Sequence, residues 1–308
     1  MSGIYIHIPF CKKACHYCNF HFSTNQNSKS AFIKAVCNEL VLRKSEYTSE
    51  EIQSIYFGGG TPTVLEVSEL NTILQTVYEH YKVSDTSEIT LEANPDDLDL
   101  EKIKRLANTK INRLSIGIQS FHESDLTSMN RAHNAIEAKK CLEIATTYFD
   151  NITIDLMFGM PTMSIEQWRQ NLQTAFGFGI KHLSCYALTV EPKTALEHFI
   201  NKGSHPPMDD ELAAKHFEVL LEETSAQGLT HYETCSFGYP DYFSRHNTSY
   251  WLGKTYMGVG PSAHSFDGKN RSWNLSNNTK YIKSLEANIR PFESEELSVE
   301  NRFNEYIM

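Results

Sequence analysis

Six short β-branched or apolar runs recur along the first two thirds of the chain: Ile4 to Ile8, Ile52 to Phe57, Glu88 to Ala93, Arg113 to Ile118, Ile152 to Met157 and His182 to Leu188. Runs of this length and composition read as buried strands. Between them, apolar residues recur with helical periodicity over Ser30 to Arg43, Val67 to Tyr81, Leu100 to Ala107, Ala135 to Tyr148 and Ile165 to Phe176. Ser164 and Gln167 have the spacing of a capping box at the head of the last of these. Strands alternating with helices predict right-handed βαβ units around a parallel sheet. Six units are too few for an eight-stranded barrel. The expected fold class is therefore α/β, an open partial (βα)6 barrel with its ligands at the C-terminal strand ends, and a doubly wound sheet is the alternative.

The pattern changes after Glu191-Pro192. Gly203 and Pro206-Pro207 mark a linker, and a long helix is expected from about Asp209 to Gln227. The remainder, rich in Tyr, Ser, Asn and Gly, reads as short strands and loops packed on the barrel. This divides the chain into a barrel over 1–195 and an α+β extension over 196–308. The ending Asn301 to Met308 is helix-like and carries no stop signal. No internal repeat or low-complexity tract interrupts the chain.

Bulk composition narrows the class. A chain that is 40% hydrophobic and 21% charged is ordinary for a globular protein, and a net charge of −10 argues against a broad nucleic-acid surface. No run approaches the roughly eighteen apolar residues of a membrane span, and Met1-Ser2-Gly3 has no basic region before the first apolar stretch. The expectation is a cytoplasmic protein with no nucleic-acid partner and no membrane span, peripheral membrane contact being left open. Seven cysteines, an odd number, make a disulfide framework a poor reading and leave reduced thiols for metal chemistry. Cys37 and Cys141 fall on expected helices and Cys185 on an expected strand, as small core residues would; Cys235 carries no assignment.

Candidate chemistry begins directly after the first strand, where Cys11, Cys15 and Cys18 form a Cys-x3-Cys-x2-Cys triplet. Three thiolates can hold a [4Fe-4S] cluster and leave one iron open. The rival reading is a zinc site completed by His16 or His21. Gly58-Gly59-Gly60-Thr61-Pro62-Thr63 follows the second strand, where it is either a tight turn or a place for close backbone approach to a ligand. Glu92 ends the third strand, Gln119 the fourth, and Asp155 lies in the fifth. Each alone could cap a turn, but together they put polar groups at successive strand ends, where they can bind a ribose diol. Arg131 can pair with a carboxylate through a bidentate fork.

The triplet, preceded by Tyr5-Ile6-His7-Ile8-Pro9-Phe10, resembles the radical S-adenosylmethionine superfamily. That resemblance implies that the open iron binds the amino and carboxylate groups of S-adenosylmethionine, and that Gly58, Gly59, Gly60 and Thr61 meet the methionine amino group. The later segments resemble its coproporphyrinogen oxidase-like branch. This assigns Tyr5, Glu92, Gln119, Arg131 and Asp155 to the nucleoside end of S-adenosylmethionine, and Tyr17 to stacking on adenine. Phe20 stands where the oxidases of that branch carry a fourth cysteine, and only ten residues precede Cys11, which resembles the branch's haem-chaperone group. So does Arg245-His246-Asn247-Thr248-Ser249-Tyr250-Trp251, which implies a haem site with His246 as axial ligand beside Tyr250 and Trp251. Gly258 to Ser265 also resembles a segment of the branch, with no role given to His264.

The implied cofactors are a [4Fe-4S] cluster, S-adenosylmethionine and haem. The implied partners are haem-accepting proteins such as respiratory enzymes, together with an electron donor for the cluster. Relatives in this branch continue into a small helical C-terminal domain, which is expected to be missing here. The readings to be separated are a haem carrier, an oxygen-independent coproporphyrinogen III oxidase and a zinc-stabilised binding module.

Overall fold

The structure is a computed structural model that describes residues 3–47 and 51–307; Met1 and Ser2 at the start and Met308 in the helix-like ending lie outside the described residues. Its first part alternates as expected: β1 (Gly3–Ile8), α1 (Lys29–Leu42), β2 (Ile52–Gly59), α2 (Val67–His80), β3 (Val83–Ala93), α3 (Leu100–Ala107), β4 (Arg113–Gln119), α4 (Glu123–Ser128), α5 (Ala135–Tyr148), β5 (Ile152–Phe158), α6 (Ile165–Gly177) and β6 (His182–Ala187). Two features differ from the sequence reading. β3 begins five residues early, because Val83 pairs with Ile52 across an irregularity in the ladder, and α4 is a short helix that no periodicity announced. The Ser164 capping box forms, with the Ser164 hydroxyl accepting from the Gln167 amide at 3.2 Å.

Strands β1 to β6 lie side by side in sequence order and pair in parallel. A doubly wound sheet would reverse direction at a switch point, and this one does not. Right-handed crossovers that all step the same way place the helices on one face and curl the sheet, which gives the open partial barrel.

The strands are two-faced. Ile4, Ile6, Ile8, Ile55, Phe57, Ile89, Leu91, Leu114, Ile116, Ile154, Leu156 and Leu183 are fully buried or nearly so. Ladder registers put the alternate residues, Tyr5, Tyr56, Thr90, Glu92, Ser115, Asp155 and Ser184, on the opposite face. The aliphatic face packs against helices, and the polar and aromatic face lines the barrel interior.

The second part is α7 (Ala195–Asn201), α8 (Asp210–Ala226), β7 (Thr230–Glu233), β8 (Ser236–Gly238), α9 (Arg245–Trp251), β9 (Tyr256–Val259), β10 (His264–Phe266), β11 (Asn270–Asn274), α10 (Asn278–Glu286), β12 (Phe292–Glu296) and α11 (Val299–Ile307). Its strands extend the sheet at both edges, in the order β12-β11-β10-β9-β1 on one side and β6-β8-β7 on the other. They do not lie over the barrel, because the exposed edges of β1 and β6 present unpaired backbone groups that a further strand satisfies.

A fully buried carboxylate locks the β9 side to α1. Glu39 accepts hydrogen bonds from Arg43 at 3.1 Å, the Gly260 amide at 3.0 Å, Asn274 at 2.8 Å and the Tyr281 hydroxyl at 2.6 Å. Removing one member of a buried charged network leaves the others unsatisfied, at a cost of about 3 to 5 kcal/mol. Glu39→Ala is expected to lower the denaturation free energy by that amount in urea titrations, and a loss under ~1 kcal/mol would mean that the network relaxes at little cost.

Candidate cofactor site

The three cysteines sit in the loop from Pro9 to Ser28, above the C-terminal end of β1. Backbone hydrogen bonds fix this loop: Cys11 donates to the Ser23 carbonyl at 3.1 Å, Cys18 to the Cys15 carbonyl at 3.3 Å and His16 to the Met129 carbonyl at 3.1 Å. The glycine run clamps it from below. Gly60 donates to the Ile8 carbonyl at 2.9 Å and Thr61 to the Phe10 carbonyl at 2.7 Å. A Cβ on Gly60 would lie 2.7 Å from the Phe10 oxygen and 2.8 Å from that of Ile8, so only glycine allows this approach. Gly59, at φ +106°, bends the strand end and donates to Glu92 at 3.1 Å. The amides of the run are thus used internally, and an ammonium group, being a donor, would have to be met by carbonyls.

Cys11, Cys15 and Cys18 line a cavity of about 390 Å3, within the ~300 to 1,000 Å3 typical of small-molecule sites. Tyr17, Gly59, Gly60, Thr61, Glu92, Gln119, Arg131 and Asp155 line the same space, which brings together most of the residues assigned from the sequence. Gly58 is one step back, its Cα facing Glu92 and the Tyr5 and Tyr56 rings. Tyr5 sits lower in the barrel, stacked on Tyr56 at 6.1 Å.

Arg131 is more committed than a free fork. It donates to Cys15 Sγ and the Tyr17 hydroxyl, both at 3.3 Å, to Asn94 at 2.7 Å and to the Gly117 carbonyl at 2.8 Å. Only its Nε is a buried donor without a partner, so a bidentate grip on a ligand requires these contacts to rearrange. The other orphan here is Gln119 Oε1, on a residue held at φ +66° by the irregularity between β4 and β5. Two unsatisfied polar atoms beside a cavity mark a place completed by a ligand.

Burial pushes the Glu92 carboxyl up to about 7, against the hydrogen bonds it accepts from Tyr56 at 2.8 Å and Gly59. Burial likewise pushes Asp155 up to about 7, offset in part by Arg131 and Arg113. The Cys11 thiol is pushed by burial up to about 11, and Cys18 moves in the same direction. Cluster binding therefore has to displace protons.

The histidines that a zinc site would recruit are held elsewhere: His16 Nδ1 is hydrogen-bonded to the Ser128 carbonyl at 2.9 Å and His21 Nε2 to Asn278 at 2.7 Å. Among the described residues, no three His, Cys, Asp or Glu side chains converge where a single metal ion could sit. Cys141 and Cys185 are buried in the core and Cys37 packs against it, in line with their sequence reading.

The His246 stretch departs from expectation. His246 is 1% exposed and lines neither the cysteine-bearing cavity nor the larger one beside it. Both ring nitrogens are occupied, Nδ1 by Ser54 at 2.8 Å and Nε2 by the Tyr250 hydroxyl at 2.7 Å, because α9 lies against β2 and turns the ring into the barrel. Tyr250 and Trp251 instead line a second cavity of about 1,020 Å3, which shares Asn19, Phe20, Gly59 and Glu92 with the first. Tyr56, Asn94, Tyr186 and His7 are site residues that the sequence reading did not assign. Their signal was the two-residue alternation within each strand, which places Tyr56 beside Tyr5.

The family model of the Radical SAM superfamily matches residues 5–175, more than half of the chain. The heme chaperone HemW of Bacillus subtilis is 33% identical over 311 residues, covering 99% of this chain and 82% of that protein. The chain belongs to the radical SAM superfamily, in its HemW family. HemW of Escherichia coli is 33% identical over 267 residues, 85% of this chain and 69% of that protein. Among solved structures, the radical SAM enzyme coproporphyrinogen III oxidase (HemN) of Escherichia coli matches with a TM-score of 0.86 at 21% identity, covering 99% of this chain and 74% of that one, a likeness of fold. Superfamily membership implies a [4Fe-4S] cluster and S-adenosylmethionine. The residues present fit both, through a three-thiol loop on a cavity of suitable size with two orphaned polar atoms in its wall.

Two outcomes are expected of this HemW-family site. Cys15→Ala should remove cluster iron while leaving far-ultraviolet circular dichroism near wild type, because the loop lies at the sheet's rim; iron retained at about four per chain would exclude Cys15 as a ligand. The second concerns pH. Glu92 and Asp155 have folded-state values raised above 4.5 and 3.8, so the stability of their neutral forms is fully present below those values and is lost as pH rises through about 7. Metal-free protein should therefore have a lower urea midpoint at pH ~8 than at pH ~5 through these groups, and Glu92→Gln should narrow the difference. An unchanged difference would show that Glu92 does not carry it.

Proposed function

We propose that this protein is a cytoplasmic haem carrier. It binds haem beside a [4Fe-4S] cluster and S-adenosylmethionine and hands it to acceptor proteins such as respiratory enzymes, with an electron donor for the cluster as a second partner. One observation carries the reading: a 1,020 Å3 cavity, large enough for a macrocycle, adjoins the cysteine-lined cavity and shares Phe20, Gly59 and Glu92 with it. The Bacillus subtilis and Escherichia coli relatives, both named heme chaperones, agree with it.

Cys11, Cys15 and Cys18 would hold the cluster, with Thr61 donating to Cys11 Sγ at 3.5 Å and Arg131 placing positive charge beside Cys15. When bound, the cluster supplies an electron to the sulfonium of S-adenosylmethionine. Glu92, Gln119 and Asp155 would accept from or donate to a ribose diol, and Tyr17 would offer a ring to a purine. Arg131 holds Tyr17 and Asn94 in register with the cysteine loop. Glu92 and Asp155 can each keep a proton near neutral pH, so the barrel interior need not carry two unpaired charges.

Phe20 favours carrier over oxidase. Its ring is 68% exposed at the junction of the cavities, where it offers an apolar face and no thiol. Anaerobically reconstituted protein is expected to bind haem with a shifted Soret band, to pass it to an apo-cytochrome, and to leave coproporphyrinogen III unchanged in the presence of S-adenosylmethionine and reductant. Decarboxylation of coproporphyrinogen III dependent on S-adenosylmethionine would replace the carrier reading with the oxidase.

A further inference from the structure

With both nitrogens of His246 occupied, the haem cavity needs another iron ligand. Three histidines line it: His7, His21 and His264. His7 is hydrogen-bonded through Nδ1 to the Tyr5 hydroxyl at 3.2 Å and through Nε2 to the His21 carbonyl at 2.9 Å, and burial holds it neutral with a value near 4. His21 has Nε2 on Asn278. His264 alone of the three has no hydrogen-bond partner for its ring nitrogens among the described residues, and the residue is exposed at the cavity wall.

The surroundings match one class of ligand. Phe266 lies two residues along β10 and therefore on the same face as His264, and both line the cavity. Phe20 and Trp251, residues 68% and 52% exposed, offer apolar surface across it. Lys254, Arg271 and Arg302 place three cationic side chains in the same lining, in a chain whose net charge is −10. An imidazole without a hydrogen-bond partner, flat apolar walls and a cationic rim are the complement of a planar metal macrocycle that carries carboxylates.

We propose that the cavity between α9, β10 and the cysteine loop is the haem site, with His264 as axial iron ligand and the Lys254, Arg271 and Arg302 side of the wall facing the propionates. This rests on the haem-carrier reading. His246 is then a positioning residue: one helical turn before Tyr250, it holds that hydroxyl at 2.7 Å and so sets the ring that forms part of the cavity wall.

Haem titrations of the full chain, followed by absorbance and resonance Raman spectroscopy, test the assignment. Wild type should show an imidazole-ligated spectrum. His264→Ala should lose that signature, bind haem at least tenfold more weakly and recover ligation when free imidazole is added, while its circular dichroism and cluster iron stay at wild-type levels. His246→Gln should keep the imidazole signature. Haem dimethyl ester, whose propionates are uncharged, should bind wild type more weakly than haem. A wild-type signature in His264→Ala, or its loss in His246→Gln alone, would overturn the ligand assignment. Ester binding as tight as that of haem would overturn the placement of the propionates. Wild-type protein with no Soret shift at all would instead overturn the haem-carrier reading, and the site with it.

Discussion

Burying polar side chains on the inner face of a parallel sheet costs several kcal/mol for each group left without a hydrogen bond, and the architecture follows from how that cost is met. Low in the barrel the protein meets it internally. Glu88 accepts from the first amides of α9, those of Arg245 and His246, both at 3.1 Å, while Ser54 is closed by His246 and Thr153 by His182 at 2.6 Å. The helix that carries the His-Asn-x-x-Tyr-Trp stretch is therefore part of the barrel's own floor. At the C-terminal end the satisfaction is incomplete, with Arg131 Nε and Gln119 Oε1 unpaired and Glu92 and Asp155 pushed by burial up to about 7. The same constraint thus yields a sealed floor and a rim that a ligand completes.

The cysteine loop depends on this rim through backbone geometry. Gly60 and Thr61 hold the loop by hydrogen bonds to the Ile8 and Phe10 carbonyls, so the clamp works only where no side chain intervenes. Arg131 links the same loop to β3 and β4 through Asn94 and the Gly117 carbonyl. Any group held by the cysteines is consequently placed with respect to Glu92 and Asp155 by two rigid strand ends. This is how a flexible-looking segment, the loop from Pro9 to Ser28, can act as a fixed mount.

The extension of the sheet decides what lies next to that mount. β9 adds in parallel to β1, β10 returns antiparallel to β9, and β11 pairs antiparallel with β10. This widens the inner surface beyond the barrel and produces a second cavity wall bearing His264 and Phe266. Glu39 ties the added strands to α1 from the helical side. Phe20, reaching from the cysteine loop, stands between the two cavities.

Much of this was legible from residue order. Strand and helix identities followed from periodicity, and the triplet Cys11, Cys15 and Cys18 with Gly58 to Thr61 marked the rim, because these signals are local: a side chain's period and a ligand spacing do not need the rest of the fold. Glu92, Gln119 and Asp155 were legible as strand-end groups for the same reason. The edge-on extension of the sheet, the commitments of Arg131 and the place of His246 were not. Each is set by partners 14 to 253 residues away along the chain. His246 and His264 look alike as histidines beside aromatic residues in sequence. Packing of α9 against β2 gives the first two hydrogen bonds and burial, while the second, at the start of β10 in the added part of the sheet, faces an open cavity. Sequence determined which chemistry the chain carries, and only the tertiary structure decided which imidazole is free to use it, since the availability of a lone pair depends on neighbours that folding alone brings together.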